Sequence, residues 1–106
     1  MNNKTIYIAG PMAGIPSLNF PAFYDAEVKL AEDGWRCVNP ARFNAVFGDA
    51  LEGNLLDACC ESERAAIPHL DAIALLKGWQ FSKGAKRELA VALEHNLSVL
   101  VEGDDF

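Results

Sequence analysis

Short apolar runs alternate along this chain with longer stretches in which apolar residues recur every three or four positions. Thr5-Ile6-Tyr7-Ile8-Ala9 reads as a strand that ends in the loop Gly10-Pro11-Met12-Ala13-Gly14. A helix is predicted from Asn19 or Phe20, with Pro21 in its first turn, where a missing N–H costs little. Phe23, Ala26, Leu30 and Ala31 form its apolar stripe, and Gly34 suits its C-terminal cap. Trp35 to Val38 reads as a second strand, stopped by Asn39-Pro40. Residues 41–53 read as a loop, and a further helix is expected from about Asn54 to Ile67, closed off by Pro68. Asp71 to Leu76 is the third strand, Ser82 to about His95 the next helix, and Leu97 to Val101 the fourth strand. An acidic tail follows, from Glu102 to Asp105.

Strands that alternate with helices place the chain in the α/β class. The expected architecture is a small doubly wound sheet, flavodoxin-like or Rossmann-like, with four parallel strands in the order 2-1-3-4 and helices on both faces. In such a sheet the topological switch point lies between strands one and three. The loop at Gly10–Gly14 and the loop at Lys77–Ser82 then face each other across one crevice, where open parallel sheets bind their ligands. With 106 residues, no linker and no internal repeat, the chain reads as one domain over residues 1–106.

Composition narrows the partners. Apolar residues make up 51% of the chain without a low-complexity tract, so disorder is not expected. The formal charge is −6 and there is no run of Lys or Arg, which argues against nucleic-acid backbones and anionic membranes as partners. A small phosphorylated ligand is compatible with that charge, because backbone amides can hold phosphate. The absence of a signal-like or membrane-spanning run points to the cytoplasm. Cys37, Cys59 and Cys60 are odd in number, and no Cys/His spacing matches a zinc site. Reduced, buried thiols are expected, with no metal and no redox cofactor. A sheet of this size leaves aromatics uncovered, so homo-oligomerisation is expected.

The most informative stretch runs from Ser82 to Leu93. Ser82-Lys83-Gly84-Ala85-Lys86-Arg87-Glu88 reads as a glycine-containing helix entrance beside the crevice, presenting Glu88 as a carboxylate nucleophile or base. Gly84, four residues earlier, leaves room for a ligand one turn below. Complementing the helix dipole, or pairing with Lys83 or Lys86, would explain Glu88 about as well. Glu63 falls on the apolar stripe Leu56, Cys59, Cys60 and Ile67, where an unpaired carboxylate costs several kcal/mol unless it opens into a cleft; a stripe-edge residue reaching water is the competing reading. Tyr7 is either an orienting hydroxyl near the end of strand one or a packing residue. Ser82 is either a hydroxyl at an anion site or simply a helix cap. Trp79 and Phe81 either stack on a base or pack against a partner subunit. Asp71, at the far end of strand three, reads as structural. Gly10-Pro11-Met12 lacks the G-x-G-x-x-G dinucleotide fingerprint and is by itself a weak anion-loop signal.

Taken together, Ile6-Tyr7-Ile8-Ala9-Gly10-Pro11-Met12, Asn19-Phe20-Pro21-Ala22-Phe23, Gly34-Trp35, Asn39-Pro40, Asp71-Ala72-Ile73, Gly78-Trp79 and Ser82-x-Gly84-Ala85-x-x-Glu88 resemble the nucleoside 2-deoxyribosyltransferase superfamily. They look most like its short, largely uncharacterised bacterial and phage branch. The resemblance implies Glu88 as the nucleophile at the anomeric carbon of a deoxyribonucleoside, Tyr7 as the residue that orients it, and Glu63 as the acid/base group for the leaving base. It further implies that Ser82 and the Gly10 loop, with Pro11 and Met12, hold a 5′-phosphate as related deoxynucleotide N-glycosidases do. The chain departs from that branch in having Glu63 where an aspartate is usual and Lys77 where a proline is common. It also ends at Phe106, whereas the transferases carry an extended C-terminal part.

The expectation is therefore an enzyme that cleaves the base–sugar bond of a deoxynucleoside or its 5′-monophosphate, by hydrolysis or transfer, without a cofactor. The alternatives are a non-catalytic nucleotide-binding module, acting as a sensor or sequestering protein, and an interaction domain that uses Phe43, Trp79 and Phe81 as an interface.

Overall fold

The computed structural model describes residues 4–12, 15–41 and 67–106. Four strands, β1 (Thr5–Ala9), β2 (Arg36–Val38), β3 (Ala72–Leu75) and β4 (Ser98–Val101), form one parallel sheet in the order β2-β1-β3-β4. Helix α1 (Phe20–Glu32) follows a 3₁₀ turn at Pro16–Asn19, and helix α2 (Lys83–Glu94) follows another at Trp79–Phe81. The order is the doubly wound one that the alternation of strands and helices requires.

Alternation along the strands distributes their side chains to two faces. Ile6, Ile8, Ala72 and Ala74 pack with Phe23, Ala26 and Leu30 of α1. Tyr7, Ala9, Ile73 and Leu75 pack with Ala85 and Ala92 of α2. The sheet is thus sandwiched between the two helices, and every residue of β3 is buried, as expected of an inner parallel strand covered on both sides. Burying a side chain such as Phe23 or Leu30 contributes roughly 1.5–3 kcal/mol. In register, Tyr7 sits opposite Val38 on β2 and Ile73 on β3.

Polar side chains close the ends of these elements. Asp71 accepts hydrogen bonds from the Thr5 backbone N–H (2.8 Å) and hydroxyl (3.2 Å), tying the start of β3 to the start of β1. Its role there is structural, at the end of the sheet remote from the crevice. Asn39, only 6% exposed, accepts from the Ala41 N–H at 2.9 Å and donates to the Phe23 carbonyl at 3.4 Å. Gly34 ends α1 in a left-handed conformation (φ +92°), its N–H donating to the Ala31 carbonyl. After β4, the Glu102 N–H extends the ladder to the Leu75 carbonyl, and Asp105 accepts from the Val101 N–H at 2.8 Å.

Shifts of one residue at element ends aside, two places differ from the sequence pattern: Pro40 and Ala41 are helical where a loop was expected, and the second lies at Ile67. Ile67 does not close a helix but opens a 3₁₀ turn, Ile67–His69, that contains Pro68. Proline has no N–H for the i→i−4 ladder, so a tighter turn replaces the helical one. The rest of the helix expected from Asn54 lies outside the described residues. Among the described residues, no helix is long and apolar enough to cross a membrane.

Candidate active site at the carboxyl ends of β1 and β3

Because β1 and β3 are neighbours, the loops leaving their carboxyl ends emerge side by side. Their contact is direct: a Cβ built on Gly78 would lie 3.4 Å from the Pro11 ring. Gly78 adopts φ +88°, a conformation that glycine takes without steric cost, and this turns the chain from β3 into the Trp79–Phe81 turn. Gly10 is pressed against the other loop. A Cβ there would stand 2.7 Å from Leu76 Cβ, while the Leu76 N–H donates to the Ala9 carbonyl at 2.8 Å. Only a glycine lets the two strands leave the sheet this close together.

Each loop is held from outside. The Asn19 side-chain amide donates to the Pro11 carbonyl at 2.9 Å, and the Ile15 N–H to the Met12 carbonyl at 3.2 Å. On the other side, Glu102 accepts from the Lys77 N–H at 3.0 Å. Ser82 is the N-cap of α2: its hydroxyl accepts from the Ala85 N–H at 3.1 Å, which satisfies one of the amides that a helix start leaves unpaired.

Glu88 lies in the second turn of α2, on the stripe Ala85–Glu88–Ala92 that faces the sheet, and is only 7% exposed. Tyr7 is fully buried on the same face of the sheet, in the cluster that holds Ala85 and Ala92. The helix dipole, one explanation of Glu88 that the sequence offers, does not account for its position. No acidic residue occupies the first turn of α2, and the dipole effect fades beyond it. What distinguishes Glu88 is that it is buried on the helix stripe it shares with Ala85 and Ala92, where a glutamate is rarely found without polar partners or a function.

The other predicted positions lie on the two loops and at the start of α2. Gly10, Pro11 and Met12 form the first loop, and Met12 packs against the α1-side cluster. Trp79 is partly buried against the Tyr7 cluster, whereas Phe81, two residues on, is 91% exposed. Gly84 is the second residue of α2, between the Ser82 cap and Glu88. Glu63, Phe43, Cys59, Cys60, Ala13 and Gly14 lie outside the described residues. Among the described residues, no group of three His, Cys, Asp or Glu side chains could hold a metal ion.

Two features of the site were not singled out from the sequence. One is Asn19, read there as a helix start and as part of the Asn19-Phe20-Pro21-Ala22-Phe23 motif but given no role at the site. The other is a concentration of basic residues along the chain: Lys77, Lys83, Lys86 and Arg87 are four of its nine, all exposed, within the segment that forms the second loop and the start of α2. The absence of a contiguous basic run hid this cluster. Its signal was density rather than adjacency, four cations in eleven residues of a chain with net charge −6.

Comparison with known proteins adds a family but no activity. A family model described as Domain of unknown function (DUF4406) matches residues 4–101, the whole of the sheet and both helices. No curated protein matches the sequence significantly.

Proposed function

This chain belongs to the DUF4406 family, and from the chemistry of its site we propose that it cleaves the N-glycosidic bond of a deoxynucleoside or, more specifically, of a deoxynucleoside 5′-monophosphate. The observation that carries the reading is the buried Glu88 of α2, between Ala85 and Ala92, which pack on the same face of the sheet as Tyr7. A carboxylate in that position suits displacement at C1′, which passes through an oxocarbenium-like state that a nearby anion stabilises and can trap. The resemblance of the Ser82–Glu88 and Ile6–Met12 segments to nucleoside 2-deoxyribosyltransferases supports the same reaction class. A 5′-monophosphate is the more specific substrate because Lys77, Lys83, Lys86 and Arg87 are exposed along the second loop and the start of α2 and are available to an anionic ligand.

In this mechanism a Glu88 carboxylate oxygen forms a bond to C1′ as the C1′–N bond breaks. The electron pair leaves with the base, which takes a proton from the carboxylic acid of Glu63. Water then gives a proton back to Glu63 and attacks C1′, releasing Glu88 and the free sugar; a second base in place of water gives transfer. The Tyr7 hydroxyl orients the Glu88 carboxylate, Trp79 flanks the base, and Ser82, Gly84 and the Gly10-Pro11-Met12 loop line the sugar and phosphate. All groups come from the chain itself, and no cofactor enters.

The test is chromatography of free base released from a panel of deoxynucleosides and their monophosphates. Wild-type protein is expected to release base, monophosphates reacting faster than nucleosides, and Glu88→Gln or Glu88→Ala to lose about three orders of magnitude or more. Undiminished release in either variant removes Glu88 from its role. Saturable nucleotide binding by calorimetry without any turnover would instead make the protein a binding module that keeps the crevice without the chemistry.

A further inference from the structure

Asn19 meets two demands at once. Its backbone is left-handed, with φ +61°, two residues after Ser17 at φ +56°, so the short Pro16–Asn19 turn reverses the chain before α1 begins. Its side chain does not cap α1, although it occupies the N-cap position. The amide instead reaches back eight residues and donates to the Pro11 carbonyl at 2.9 Å, in a partly buried setting. Asparagine is the common non-glycine residue in the left-handed region, and it alone of the residues that favour this region also carries a neutral amide donor. Leaving the helix start uncapped is a local cost, since an N-cap bond is worth about 1 kcal/mol. The side chain has been committed to the loop instead.

We propose that Asn19 is a positioning residue that fixes the Gly10-Pro11-Met12 loop in the conformation that receives the sugar-phosphate end of the substrate. The inference rests on the functional reading above, but its mechanical half stands on the hydrogen bond alone. Pro11 abuts Gly78 of the opposite loop, so releasing its carbonyl loosens the point where the two walls of the crevice touch.

Two substitutions separate side chain from backbone. Asn19→Gly keeps the left-handed conformation and removes the donor; Asn19→Asp keeps the shape but sets an acceptor against the Pro11 carbonyl. The chain contains two methionines, Met1 and Met12, so ¹³C-methyl methionine labelling gives a two-line spectrum with a reporter inside the loop. Met12 packs against the buried α1-side cluster, so its methyl shift is sensitive to displacement of the loop. Both variants are expected to move or broaden the Met12 line. Both are expected to raise KM for a deoxynucleoside monophosphate roughly threefold to tenfold, the worth of one neutral hydrogen bond, with kcat within about twofold. An unmoved Met12 line in both variants overturns the inference, as does a wild-type-like Asn19→Gly, or a moved line with unchanged KM. If wild-type protein neither binds nor cleaves any nucleotide, the functional reading fails instead; the Met12 line then still decides whether Asn19 holds the loop.

Discussion

Replacing Gly10 by alanine tests how closely β1 and β3 are locked at their carboxyl ends. The added methyl would lie 2.7 Å from Leu76 Cβ and 3.0 Å from its Cγ and Cδ1. Relaxed carbon contacts are about 3.5–4.0 Å, so the overlap is close to 1 Å. Rotating Leu76 relieves the outer two contacts but not the first, because a Cβ is fixed by its backbone. That backbone is itself held by the 2.8 Å bond from the Leu76 N–H to the Ala9 carbonyl, and the Leu76 side chain is buried. Something in the sheet has to move. Overpacking of this kind costs about 1–3 kcal/mol, and weakening the Ala9–Leu76 bond adds about 1 kcal/mol. A total near 2–4 kcal/mol lowers the Tm of a domain this size by roughly 10–20 °C. Thermal unfolding followed by circular dichroism reads this directly. Combining the change with Leu76→Ala should leave much of the penalty in place, since the nearest atom remains. A Gly10→Ala protein melting within about 2 °C of wild type would refute the close approach, and with it the reasoning that the crevice wall requires glycine here.

Two further substitutions probe opposite ends of the sheet. Asp71→Ala removes both bonds to Thr5 and should destabilise by about 1–3 kcal/mol in urea unfolding while leaving base release per folded molecule unchanged; a specific loss of turnover would place Asp71 in the reaction after all. Phe81→Ala should leave the Tm unchanged within about 1 °C, because its ring is 91% exposed. A clear fall in Tm that depends on protein concentration would mean that a second copy covers the ring.

The parts of the fold that local pattern dictates were legible in the residues. β1 has the predicted bounds because Thr5–Ala9 is apolar and β-branched, with Gly10-Pro11 behind it. Helix α1 begins beside Asn19 and Pro21 and turns at Gly34 for the capping reasons given. The strand order followed from alternation alone. The site was legible in outline, since the switch-point rule set the two loops together and the spacing of Gly84 and Glu88 put both on one helix face. The helix-dipole explanation of Glu88 fails because the residue lies beyond the first turn of α2. What no local pattern encodes is contact between distant residues: Leu76 against Gly10, Gly78 against Pro11, and the Asn19 amide on the Pro11 carbonyl. Ile67, expected as the last residue of a helix, stands instead in a 3₁₀ turn with Pro68.

The tail after β4 has a bearing on how copies of this chain can assemble. β4 is an outer strand, and outer strands invite neighbours to add on through their open amides and carbonyls. Here the Asp105 carboxylate occupies the Val101 N–H, and the Asp104 and Asp105 amides occupy the Val101 carbonyl. A fifth strand approaching along that margin would find its last rung taken and a row of acidic side chains in its path. Continuous sheets running from one molecule into the next are therefore disfavoured on this flank, and higher-order assembly is directed to helical surfaces or to the short β2 border.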